Sequence, residues 1–128
     1  MSTNTRTIGL AVIGCGTIGR IRAEFARDYP GIGWLGLCDI KGDLRERLAA
    51  DTNADFHTSD FEELIKRPEV DAVIIATDEN HHMAPTIMAA DAGRALFIEN
   101  IVPSSIVKMP KVESFVPYWE SALSFDWA

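Results

Sequence analysis

The chain has 128 residues, one domain's worth and enough for a sizeable core. Apolar residues make up 47% and charged residues 24%, which excludes wholesale disorder. A net charge of −7 and a pI near 4.8 argue against nucleic acid and anionic membranes, which need clustered Lys and Arg, but leave room for a local anion site on backbone N–H groups.

In chain order, "TIGLAVIG" (7–14) is a β-rich apolar run closed by glycine and reads as a buried strand. Residues 17–28 carry Ile18, Ile21, Phe25 and Ala26 at helical spacing, with charges on the other side, so this face is the expected inner one. "YPGIG" is a turn, and "GWLGLCDI" (33–40) is a second apolar run ending near Asp39. Residues 42–53 read as a helix, with Asp43 placed to favour its N-terminus. Residues 61–67 form a short helix stopped before Pro68. "VDAVIIAT" (70–77) is the clearest strand, followed by a helix over 82–93 with Pro85 in its first turn and Gly93 at its end. "RALFI" (94–98) is the next strand.

Strands and helices alternate through residue 98, and the strands are nearly continuous apolar runs. That predicts an α/β fold: a doubly wound parallel sheet of about five strands, covered on both faces, in the order 3-2-1-4-5. The domain boundary falls at residue 100. Residues 101–128 form an irregular, aromatic-rich tail with Pro103, Pro110 and Pro117, which preclude one long helix; a short helix near 117–123 is compatible with Pro117 at its start. Five of the eleven aromatic residues (Phe115, Tyr118, Trp119, Phe125, Trp127) crowd its end. They could cover apolar surface, make a homo-oligomer contact, or do neither.

The two cysteines, Cys15 and Cys38, form no disulfide framework and read as small buried thiols, with redox sensing as the rival reading. The N-terminus lacks a basic region followed by a long apolar stretch, so neither signal peptide nor membrane span is expected and a cytoplasmic location follows. Adjacent His81 and His82 point apart and read as a polar helix start; no metal is expected. Glu24, Arg27, Arg45 and Glu46 read as solvated helix residues, and His57 as a strand-end or surface residue.

The stretch "GCGTIG" carries the chemistry. Gly14, Gly16 and Gly19 stand in G-x-G-x-x-G spacing between a predicted strand and a predicted helix. Asp39 ends the next strand, twenty positions after Gly19. Together these make the dinucleotide-binding fingerprint. Gly14 permits the turn, Gly16 lets a pyrophosphate approach the backbone, and Gly19 lets helix and strand pack closely. Backbone N–H groups of Cys15, Thr17 and Ile18 lie around the expected phosphate site. The Asp39 carboxylate suits an adenosine ribose and would repel a 2′-phosphate, so NAD is favoured over NADP, a preference that Lys41 weakens. A methyltransferase turn reading D-x-G-C-G-T-G is the rival. Val12 stands where its Asp would be, and Ile18 separates Thr17 from Gly19.

"GLAVIGCGTIGR", "CDI", "VDAVIIATDENHHMAPTIMAADAG" and "ALFIEN" together resemble the glucose–fructose oxidoreductase / inositol dehydrogenase / rhizopine-catabolism family, over about residues 6–100. The resemblance implies a Rossmann-like NAD(P)-binding domain of an oxidoreductase of sugars, cyclitols and related compounds. It implies that Ala76 and Thr77 lie along the cofactor, with Asn80 and His82 beside it. It sets Glu99 on the Glu of the family's E-K-P signature, whose lysine contacts cofactor and substrate. Here the match fails: Asn100 stands for the lysine and Ile101 for the proline. An amide cannot act as a general acid or base near neutrality, so no catalytic residue is assigned with Glu99 or Asn100. The family's larger substrate domain is not found in these residues. The expectation is therefore cofactor binding without useful turnover, as truncation or frameshift of a longer gene after Glu99 would produce. The alternative is a non-catalytic NAD-responsive binding or interaction module, with homo-oligomerisation through surface that the missing domain would leave bare.

Overall fold

A computed structural model describes residues 7–78 and 81–99. Asn80, Asn100 and the tail 101–128, with the short helix expected near 117–123, lie outside the described residues. The elements run β1 (Ile8–Ile13), α1 (Thr17–Asp28), β2 (Ile32–Cys38), α2 (Gly42–Thr52), β3 (Phe56–Thr58), α3 (Phe61–Ile65), β4 (Ala72–Ile75), α4 (Met83–Asp91) and β5 (Ala95–Ile98). They form one five-stranded, all-parallel sheet in the order β3-β2-β1-β4-β5, as the alternation of elements predicts. Among the described residues no helix is long and apolar enough to cross a membrane.

Alternate residues of β1 supply two cores. Leu10 and Val12 face α1 and α2, with Ala23, Ala26, Leu48 and Ala49. Ala11 and Ile13 face α3 and α4, with Leu64, Ile65 and Ala89. This is the period-two geometry of a strand buried on both sides. The order reverses between β1 and β4, which share a register from Leu10↔Ala72 to Ile13↔Ile75. In such sheets ligands bind outside the carboxyl ends of the strands, at the point where the strand order reverses.

One expectation is corrected and one unassigned strand is located. First, α1 does not bury Ile21 and Phe25, which are 50% and 73% exposed. Its inner face is Gly19, Ala23 and Ala26, so small that the helix sits close on the sheet. Closeness to the sheet, not apolar bulk, decides the face. Second, the strand at Phe56–Thr58 is too short to show periodicity in the sequence. Its place is fixed from outside: Phe56 stacks on Trp34 at 6.4 Å between ring centroids, and the Arg67 guanidinium lies 4.2 Å from the Phe56 centroid.

The turns carry their own chemistry. Asp60 caps α3 by accepting from the Glu62 N–H at 2.9 Å. Arg94 donates to the carbonyls of Ile65 and Arg67, both at 3.1 Å, and so occupies acceptors at the C-terminal end of α3. Gly93, at φ +76°, follows α4 in the left-handed conformation expected of a helix stop.

Candidate functional site

The glycine turn joins β1 to α1. Gly14 has φ +106°, and a Cβ there would sit 2.7 Å from the carbonyl carbon and oxygen of Ala76. A Cβ on Gly19 would sit 1.7 Å from the Gly14 carbonyl oxygen. Both positions therefore exclude any side chain for reasons of packing alone. Gly16 is different: a Cβ there would meet nothing within 4 Å. Among the described residues the space over Gly16 is open, and packing does not exclude a side chain there.

Gly16 is also the N-cap of α1, with no side-chain cap and no acidic residue in the first turn. The first helical bond runs from the Arg20 N–H to the Gly16 carbonyl at 2.8 Å. The N–H groups of Thr17, Ile18 and Gly19 thus have no acceptor within the helix. They add their partial charge to the positive end of the helix dipole, facing the open space.

Asp39 stands just beyond β2 and is half-buried. Its Oδ2 accepts from the Cys15 N–H at 2.7 Å and its Oδ1 from the Lys41 N–H at 2.9 Å. Each oxygen thus uses one acceptor position, and an ionised carboxylate offers about four. The remaining positions suit a diol. Arg45, read from the sequence as solvated, instead packs beneath this loop. Its side chain is 16% exposed; it donates to the Asp39 carbonyl at 3.0 Å and to His57 Nδ1 at 3.1 Å. His57 lies in β3 on the exposed rim, as expected.

Cys15 and Cys38 are buried beside this loop, and Cys15 Sγ lies 3.6 Å from the Cys38 carbonyl. Burial, and then the Asp39 charge, push both thiols up to about 12. They are protonated at ordinary pH and so inert, which disfavours the redox reading.

The other flank is built from β4 and β5. Ala76 follows β4 and donates its N–H to Ile13 at 2.7 Å. The Thr77 hydroxyl is buried and has no hydrogen-bond partner among the described residues. An orphaned buried hydroxyl costs about 1–3 kcal/mol and is a position where a ligand group would be stabilising. His82 is 4% exposed, and its Nε2 lies 2.5 Å from the Thr77 carbonyl. A carbonyl only accepts, so Nε2 carries the proton. His81 turns the other way, to Asp78 at 2.6 Å. Among the described residues no group of three metal-ligating side chains forms.

Glu99 leaves β5 with its N–H on the Ile75 carbonyl at 2.9 Å. Its carboxylate is 11% exposed and is ion-paired with the Nε of Arg22 on α1. This charge-assisted bond raises the Arg22 pKa above its ordinary value. The sequence gives no sign of the pairing, because 77 positions separate the partners. Periodicity points only to neighbours within a helix.

The structure therefore gathers Gly14, Cys15, Gly16, Thr17, Ile18, Gly19, Asp39, Ala76, Thr77, His82 and Glu99 around the C-terminal ends of β1, β2, β4 and β5. Asn80 and Asn100 lie outside the described residues. The open space over Gly16, the free N–H end of α1, the fixed Asp39 carboxylate and the orphaned Thr77 hydroxyl together fit a dinucleotide.

Comparison with known proteins agrees. Residues 8–102 match the family described as "Oxidoreductase family, NAD-binding Rossmann fold". The chain is 33% identical over 108 residues to glycosyl hydrolase family 109 protein 3 of Phocaeicola vulgatus, covering 78% of this chain and 19% of that one. It is 30% identical over 90 residues to myo-inositol 2-dehydrogenase of Thermotoga maritima, covering 70% and 27%. Scyllo-inositol dehydrogenase of Lactobacillus casei shares the fold, with a TM-score of 0.76 at 18% identity over 91% of this chain and 35% of that one. The chain spans between 19% and 30% of the length of the curated relatives it matches. On the family match, which covers most of the chain, and on the five-stranded parallel sheet, the chain belongs to the glucose–fructose oxidoreductase / inositol dehydrogenase / rhizopine-catabolism family through its NAD-binding Rossmann domain.

Proposed function

We propose that this domain binds NAD in preference to NADP, as the dinucleotide-holding part of an oxidoreductase acting on the CH–OH group of a sugar or cyclitol. One observation carries the reading: open space over Gly16 lies beside the uncapped start of α1, with Asp39 held on Cys15 and Lys41 at its edge. The N–H groups of Thr17, Ile18 and Gly19 would hold the pyrophosphate and Asp39 the adenosine ribose. Thr77 and His82 would line the nicotinamide side. A bound nicotinamide would supply a hydride acceptor for a secondary alcohol carbon. The relative named myo-inositol 2-dehydrogenase supports a polyhydroxylated ring as the substrate class.

Binding without useful turnover by this segment alone is part of the same proposal. Its support is Asn100 in the position of the family's lysine, since an amide neither gives nor takes a proton near pH 7. The same residue favours a second reading, a non-catalytic module that responds to NAD.

Calorimetric titration of the 128-residue chain with NAD and then NADP tests the proposal. NAD should bind at least about tenfold more tightly, because the Asp39 carboxylate opposes a 2′-phosphate. Equal affinities would remove the role given to Asp39. Binding of neither would overturn the reading. Activity with inositols and NAD would overturn the absence of turnover, and NAD-dependent association with a partner would favour the responsive module.

A further inference from the structure

The loop that carries Asp39 has no apolar anchor of its own. Residues 39–41 join β2 to α2, and Ile40, their one apolar side chain, is 77% exposed. Lys41 is exposed as well. Polar bonds hold this loop instead, and two of them grip the backbone on either side of the Asp39 Cα. Asp39 donates its N–H to the Thr58 carbonyl of β3 at 3.3 Å, which holds the peptide plane before it. Arg45 Nη1 donates to the Asp39 carbonyl at 3.0 Å, which holds the plane after it. Peptide planes are rigid, so fixing both leaves the Cα–Cβ bond one direction. That direction brings Oδ2 to the Cys15 N–H at 2.7 Å.

Arg45 is itself fixed. Its side chain is 16% exposed, and its Nε donates to His57 Nδ1 of β3 at 3.1 Å. Nη2 lies 3.7 Å from Glu46 Oε2, on an exposed side chain. A guanidinium keeps its donors in one plane, so the bond to His57 decides where Nη1 points. His57 is held in turn by its register opposite Leu37 of β2. A chain of contacts thus runs from the sheet through His57 and Arg45 to the Asp39 carbonyl. The seating of α2 is a separate matter. Leu48, Ala49 and Thr52 bury that helix, and Arg45 stands one turn ahead of Leu48 and Ala49, at the edge of the site.

We infer that Arg45 is a positioning residue of the dinucleotide site. Through the Asp39 carbonyl it sets the carboxylate that the adenosine ribose would meet, and it does not touch the ligand. The inference rests on the reading of Asp39 as the ribose acceptor.

Amide hydrogen exchange and NAD titration on the full chain test it, with Arg45→Met, Asp39→Ala, the double variant and Arg47→Met. Arg47 is exposed on the same helix and controls for lost charge. In the free protein, Arg45→Met should speed exchange about tenfold at the Cys15 and Lys41 N–H groups, which Asp39 accepts. The Gly14 N–H, bonded to the Cys38 carbonyl at 2.8 Å, should keep its rate. Unchanged exchange at Cys15 and Lys41 would overturn the inference. So would an equal rise at Gly14, the sign of general loosening. NAD binding should weaken about tenfold in Arg45→Met and stay unchanged in Arg47→Met; added to Asp39→Ala, Arg45→Met should cost nothing more. An equal loss in Arg47→Met would assign the effect to net charge and overturn the inference. An undiminished loss in the Asp39→Ala background would overturn it too, since Arg45 would then meet NAD itself. A wild-type chain that binds no NAD strikes the cofactor reading and this inference together, whereas normal binding by Arg45→Met strikes this inference alone.

Discussion

The two flanks of the site are held by different forces. On the β1–β2 flank the work is done by backbone. Gly14 donates its N–H to the Cys38 carbonyl at 2.8 Å, Cys15 and Lys41 donate theirs to Asp39, and Gly14 and Gly19 are in contact. On the β4–β5 flank the work is done by side chains: His82 on the Thr77 carbonyl, Arg22 on Glu99, and a Thr77 hydroxyl with no partner among the described residues. A flank made of backbone contacts is rigid before any ligand arrives, which lowers the ordering cost of binding. A flank made of long side chains can be re-paired, and it keeps an unsatisfied polar atom at hand. The first suits the invariant part of a dinucleotide, and the second the part where reactions differ.

Breaking the rigid flank should have the largest effect. Gly19→Ala forces a methyl group against the Gly14 carbonyl, and Gly14→Ala adds left-handed strain to a similar clash. Each should cost several kcal/mol, on the order of 3 or more, and lower the melting temperature by at least about 10 °C. Gly16→Ala sharpens the contrast. It should leave melting within about 0.5–1 kcal/mol of the wild type, yet weaken NAD binding by at least about tenfold. If Gly16→Ala bound NAD normally, the open space would not be where phosphate lies.

Next comes the side-chain flank. Arg22→Met leaves the Glu99 carboxylate, 11% exposed, without its cation. A loss of about 1–3 kcal/mol is expected by denaturant titration, and Glu99→Gln in the same background should return part of it.

The buried thiols add a pH dependence to the rigid flank. Unfolding returns Cys15 and Cys38 from about 12 to the ordinary value of 9.0. Between these values the unfolded chain has lost protons that the folded chain keeps. Stability should therefore fall as pH rises above 9, by up to about 1.4 kcal/mol per pH unit for each thiol. Replacing both by Ser should flatten the curve in that window.

The smallest effect is expected at Thr77. Thr77→Val keeps the shape and removes the orphaned hydroxyl, so the free protein should be unchanged or up to about 1 kcal/mol more stable. NAD binding should weaken a few-fold. A variant that gains stability and loses no affinity would show that the hydroxyl does not meet the ligand.

The same contrast explains what the sequence revealed. The glycine turn and Asp39 were legible because their jobs depend on spacing along the chain and on the absence or charge of a side chain. The sheet order followed from alternating apolar runs and helices. By contrast, Arg22 drew no notice and Arg45 was read as solvated, since each finds its partner only after folding, at Glu99 and at Asp39 and His57. The inner face of α1 was misread for a related reason: Phe25 and Ile21 look like core residues until the sheet is seen to accept only Gly19, Ala23 and Ala26. Residues 56–58 were too few to show a period, and a stacked Trp34 and the Arg67 guanidinium decide their place.

The three glycines of the turn also differ in what they record of the protein's past. Gly14 and Gly19 are demanded by the fold, so a lineage that abandoned its ligand would have to keep both. A side chain on Gly16 would meet nothing among the described residues, and a lineage without a ligand would be free to let it drift to alanine or serine. Disuse would be written first at this one position. A survey of descendants for idle members need consult neither the first glycine nor the third, only the middle one.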